Sequence, residues 1–216
     1  MNRKAILSFG AGAACTAALT LLIAAGPGHD HDPMGEVEDT VTDAVDHAMG
    51  ETPEDMMAGM KRLATPNEFH QALEIMVGNW SAKTSFIMDP SAPPMEGEGK
   101  MSVKWVLGGR YVHSSFTMDF MGEPFEGIGY TGYDIAHEQY VSTWMDTMST
   151  TIFHMKGGEE AGDALVLYGI STTPAGDHPT KMVTAFTDKD TWIDTFYDQT
   201  PDGEWNKSGT ITYTRD

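Results

Sequence analysis

Residues two apart on a β-strand share a face, so Trp144 and Asp146 stand side by side if their segment is a strand. A carboxylate beside an indole at the mouth of a barrel can fix the polar end of a bound molecule. Asp146 has a second reading, as the cap of a turn at Thr147-Met148-Ser149. His154 shares parity with Ile152 and fits either face of its strand, as a hydrogen-bonded core residue or as a titratable group in a pocket with Tyr130. His113 lies on the Tyr111, Ser115 and Thr117 face, away from Val112, Phe116 and Met118, which points it outwards. His137 and His178 fall in turn-like segments, where solvation is expected. The one metal-like cluster is His29-Asp30-His31-Asp32, with His47, Met34, Met49, Met56, Met57 and Met60 further on. Imidazole, carboxylate and thioether donors of this kind suit copper or zinc. Flexible donors carry an ordering cost, so adventitious binding or plain solubility competes with a metal site at His29, Asp30 and His31.

Other chemistry is missing from the chain. It has no phosphate-cradling glycine loop, dinucleotide fingerprint, paired-histidine helix motif or cysteine nucleophile, and no cofactor is expected. Gly127-Ile128-Gly129 is too short for a phosphate loop and sits among strand residues, where glycines permit bending or close packing.

The elements that would position these residues are strands. After Gly78 the apolar period becomes two and stays so. Trp80, Ala82, Thr84, Phe86 and Met88 alternate with Ser81, Lys83, Ser85 and Ile87, and Met101, Val103, Trp105 and Leu107 alternate with Lys100, Ser102 and Lys104. Eight further strands are predicted at 111–120, 125–134, 139–146, 150–156, 164–171, 180–188, 191–199 and 204–214, separated by turn chemistry that includes Gly108-Gly109, Gly157-Gly158 and Pro201-Asp202-Gly203. About ten short strands with no helical spacer make an all-β antiparallel meander, and closure into a barrel hides its edges. The inward set is Trp80, Phe86, Met88, Met101, Val103, Trp105, Leu107, Phe116 and Met118. Filled, it is an ordinary core; unfilled, it lines an apolar pocket whose methionines adapt to a ligand. Ahead of the strands, Thr65 is expected to cap a short helix with Pro66 first and Glu68 closing the box, carrying a Phe69, Ala72, Leu73 and Met76 stripe.

The amino-terminal quarter reads differently. Met1–Lys4 is basic and Ala5–Ala25 carries no charge, which is the grammar of a secretory signal cut near Ala25, or else of an uncleaved membrane anchor. The only cysteine, Cys15, lies in this run, so the exported chain forms no disulfide. Residues 26–64 are acidic and poor in aromatics, a tether with short helices, one of them starting at Thr52-Pro53-Glu54. The net charge of −19 becomes −21 once Arg3 and Lys4 are removed. Such a surface repels nucleic acid and anionic lipid headgroups.

Three features together resemble the lipocalin-like, or calycin, barrels: a short helix leading into Gly78-Asn79-Trp80, the meander, and Arg215 at the end of the last strand. In such barrels the first-strand Trp80 closes one end and Arg215 packs over it, the guanidinium lying on the indole face. The chain is also similar to the bacterial domain-of-unknown-function family 1579 over roughly Met56 to Arg215. The residues that carry this are Ala64-Thr65-Pro66, Val77-Gly78-Asn79-Trp80, Ala92-Pro93-Pro94, Leu107-Gly108-Gly109-Arg110-Tyr111, Met121–Gly129, Gly132-Tyr133-Asp134, Ser142–Met148 and Ile211–Arg215. The resemblance implies a fold and no catalytic residues.

Three functions follow from this reading. The first is an exported, non-enzymatic barrel that binds a small apolar or amphipathic ligand through Phe86, Met88, Trp105, Phe116, Met118, Trp144, Asp146 and His154. The second is an enzyme using polar groups in the barrel, and the third an envelope or metal-buffering protein acting through its acidic tether.

Overall fold

A computed structural model of the chain describes residues 52–160, 164–174 and 176–216. The expected signal, most of the tether and His29, Asp30 and His31 lie outside the described residues. By contacts the chain divides into two units, Met1–Lys61 and Arg62–Asp216.

Helix α1, Pro53–Ala64, starts where the sequence places it. Thr52 Oγ1 accepts from the Asp55 backbone N–H, and the Asp55 carboxylate accepts from the Thr52 backbone N–H in return. None of its residues is buried.

Helix α2 is Glu68–Ala72 and runs into a 3₁₀ turn, Leu73–Met76. Its cap is Asn67 and not the expected Thr65. Asn67 is extended at φ −120°, and its backbone N–H donates to Nδ1 of His70, three residues on. Asparagine is the stronger cap of the two. His70 is buried with its ring edge on Tyr133, which fixes this box in place.

Ten strands follow: β1 Gly78–Phe86, β2 Met95–Val106, β3 Tyr111–Phe120, β4 Glu123–Asp134, β5 Gln139–Asp146, β6 Phe153–Glu160, β7 Ala164–Thr173, β8 Gly176–Asp188, β9 Thr191–Gln199 and β10 Trp205–Arg215. Each pairs antiparallel with its neighbours in sequence, and β1 pairs with β10, so the meander closes into a barrel with no free edge. Trp80, Ala82 and Thr84 alternate inwards as expected and are buried, while Lys83 is exposed.

Three expectations are corrected. Strand β1 stops at Phe86, which leaves Met88 in the following loop at 70% exposure. Leu107 sits in the β2–β3 turn with φ +49° and is exposed rather than inward. Gly157-Gly158 is not a turn but the middle of β6. A Cβ at Gly157 would lie 2.0 Å from the Val166 carbonyl oxygen, so the glycine is there for close approach of β6 to β7.

One end of the barrel is closed. Trp80 Nε1 donates to the Met76 carbonyl, and the Arg215 guanidinium lies 4.0 Å from the Trp80 ring centre. Arg215 also donates to the carbonyls of Val77 and Ile75 at 2.7 and 2.9 Å, which ties the 3₁₀ turn to the last strand. Behind Trp80 the Trp192 ring sits at 4.2 Å and continues into Tyr213, so aromatic rings fill this end.

Candidate functional site

Above that floor the barrel is hollow. A cavity of about 540 Å³ opens at the end where β1, β3, β5, β7 and β9 finish. That volume lies within the range of small-molecule sites. Eight methionines line it, among them Met101, Met118, Met155 and Met182, together with Phe86, Phe116, Phe125 and Phe153. Unbranched thioether side chains change rotamer at low cost, so this wall can adjust to the shape of what it holds.

At the mouth, two glycines prepare a place for Trp144. Gly127 and Gly129 on β4 stand opposite Asp146 and Trp144 on β5. A Cβ at Gly127 would fall 2.2 Å from the Trp144 ring, so only the bare backbone lets the indole lie flat there. Trp144 Nε1 donates to Asp146 Oδ2 at 2.9 Å, and Asp146 Oδ1 accepts the Met148 backbone N–H at 2.9 Å. Asp146 thus caps the turn, its second reading, and the same carboxylate holds the indole in place. Glu96 and Asp119 join it at the mouth, and no Lys, Arg or His among the described residues lines the cavity.

The expected site residues are divided by this geometry. Phe86, Phe116, Met118, Trp144 and Asp146 line the cavity. Met88 does not, for the reason given above. Trp105 belongs to the closed end, where its Nε1 donates to the Glu74 carboxylate on the 3₁₀ turn. His154 points to solvent, because Phe153 and Met155 beside it take the inward positions. Tyr130 is also exposed, against His113 on the outer face.

The polar core of the cavity is a set of residues that sequence reasoning did not select. Thr84, Ile211, Asp194 and Thr184 form one lateral row across β1, β10, β9 and β8, facing inwards. Thr184 Oγ1 donates to Asp194 Oδ1 at 2.5 Å, and the Tyr213 hydroxyl also hydrogen-bonds this carboxylate. Burial pushes the Asp194 carboxyl up to about 6, against the lowering effect of those bonds. The same burial, with the Asp194 charge added, holds the Tyr213 phenol well above its ordinary value. Trp192 Nε1 stands near enough to favour the carboxylate but outside hydrogen-bond geometry, and it is buried without a partner. One signal was available in the sequence: Asp194 has the parity of Trp192 and Phe196 in a half-buried strand.

A carboxyl with a value near 6 can exchange a proton at neutral pH. The phenol beside it stays protonated, and the barrel histidines His113 and His154 face the outer surface. Among the described residues no group of three His, Cys, Asp or Glu is arranged to hold a metal ion. The arrangement suits binding: an apolar, adaptable chamber with a polar row deep inside and carboxylates at its mouth.

Three solved structures are similar to the chain. Rv2717c from M. tuberculosis is 14% identical, with a TM-score of 0.50 over 70% of this chain and 99% of that one. The S-type phycobiliprotein lyase CPES from Guillardia theta is 12% identical, with a TM-score of 0.49 over 72% and 96%. A redesigned β-barrel is 12% identical, with a TM-score of 0.37 over 67% and 95%. At these identities the likeness is one of fold alone. No curated protein matches the chain. Residues 65–215 match the family described as Protein of unknown function (DUF1579), and the chain belongs to that family.

Proposed function

We propose that the protein is an exported binding module that carries a small apolar or amphipathic molecule inside its barrel. The cavity of about 540 Å³, apolar and open at one end, is the observation that supports this. A barrel built only as a rigid body gains from filling that space, because each unfilled volume forfeits packing contacts. Export rests on residues 1–25, with their basic start and uncharged run, and residues 65–216 form the binding domain.

The test is a titration of the full chain with an apolar, environment-sensitive fluorophore, repeated with Ser114→Phe. Ser114 lines the cavity between Val112 and Phe116 on β3, so a phenyl ring there occupies ligand space. Saturable binding that weakens about tenfold or more in the variant, with stability changed by less than about 1 kcal/mol, supports the carrier reading. Equal binding by both proteins places the fluorophore elsewhere and contradicts it.

A further inference from the structure

The deep polar row says what kind of head group the cavity accepts. It rests on the carrier reading above and goes a step beyond it. Most of the wall is Phe and Met, yet Thr84, Thr184, Asp194 and Tyr213 are each at least nine-tenths buried and reach the cavity. Packing an apolar chamber needs none of them, and buried polar groups are costly unless they meet partners.

Their hydrogen bonding is incomplete. A carboxylate has about four acceptor positions, and Asp194 spends two on Thr184 and Tyr213. The Thr84 hydroxyl stands on the same row, in a residue 2% exposed that reaches the cavity. Beside Asp194 the Trp192 N–H is buried and unmet. The row thus offers an acceptor, a hydroxyl that does both, and a spare donor.

We propose that the cavity takes its ligand head first, and that the head is a neutral hydroxyl on an apolar body rather than a carboxylate or an ammonium group. A hydroxyl donates to Asp194 and still accepts, which matches the mixture of unmet groups. A carboxylate only accepts, meets the Asp194 charge in a medium of low dielectric, and finds no cation among the described residues of the wall. On its way in it also passes Glu96, Asp119 and Asp146. An ammonium group only donates, and must shed its water to reach the row. Its better position is the solvated mouth, tail inwards, which is the competing arrangement.

Three probes with one tail separate these cases: 1-decanol, decylamine and decanoate, each displacing the apolar fluorophore from the full chain at pH 7.5. Decanol is expected to displace about tenfold or more better than decanoate, and better than decylamine. Asp194→Asn should shrink the decanol–decanoate ratio to near unity, and Thr84→Val should weaken decanol while leaving decanoate unchanged. The wild-type series and Thr84→Val stand if the Asp194 variant does not fold. Decanoate binding as well as decanol, or decylamine binding better than both, overturns the proposal. So does an unchanged ratio in a cooperatively melting Asp194→Asn protein. Failure of the fluorophore itself to bind counts against the carrier reading; a bound fluorophore that none of the three displaces counts against the head-group assignment alone.

Discussion

The two ends of the barrel are made from the same strands and the same alternation, yet one is filled and the other hollow. At the closed end, Trp80 packs edge-on to Trp192 and Trp192 lies tilted against Tyr213, Trp80 Nε1 is bonded, and Arg215 seals the turn with two carbonyl contacts and a ring face. At the open end, exposed Met121 and Met148 stand over a chamber with Asp194 at its depth. Rigid, closely packed aromatics specify a structure, whereas flexible thioethers around a void leave the shape to be completed by something else. Trp192 and Tyr213 belong to both ends, closing one with one face and bordering the cavity with another.

Variants at each end sharpen that contrast. Arg215→Ala carries the largest expected effect, a loss of about 3 kcal/mol or more, because it removes charge-assisted bonds to Val77 and Ile75 and uncovers Trp80. Urea denaturation measures it. A loss below about 1 kcal/mol would mean that the seal is decorative.

Asp194→Asn tests the hollow end through pH. The Asp194 carboxyl stands at about 6 in the folded chain against 3.8 for an ordinary aspartate, so the folded state keeps a proton that the unfolded state has released. Stability contributed by this group is therefore greatest below about pH 4 and falls as pH rises to about 6, by at most about 3 kcal/mol. The variant should be the more stable protein at pH 7.5 and lose that advantage by pH 4. Asp134 and Asp216, held low by His137 and by Ser81 and Lys100, act in the opposite sense at lower pH. They are present in both proteins, so the wild-type minus variant difference isolates Asp194. A difference that does not change with pH refutes its buried ionisation.

Gly127→Ala is expected to be milder, about 2 kcal/mol, since the added methyl lifts the Trp144 indole off β4 and breaks its bond to Asp146. Indole fluorescence should shift with it, and an unchanged spectrum would show that Trp144 lies there without needing the glycine.

Much of this architecture was legible in advance. Alternation in Trp80–Phe86 and in Phe116–Met118 specifies which face is inward, and the ten strands and their closure follow from turn spacing. Alternation does not specify depth along the barrel. Trp105 and Phe116 both read as inward residues, but one is bound to Glu74 at the closed end and the other lines the cavity. Gly157 reads as punctuation because its partner, the Val166 carbonyl, is known only once β6 and β7 are paired. Asp194 was passed over for a related reason. A lone carboxyl in a strand signals a solvated face until its neighbours Thr184 and Tyr213, from other strands, are brought beside it.

The most direct test of the hollow end is native mass spectrometry of the full chain, isolated from its own host without denaturant. The account predicts a reproducible organic adduct on the folded barrel, lost in Ser114→Phe. A clean unliganded mass, from a protein that also takes up none of the decyl probes, would contradict it.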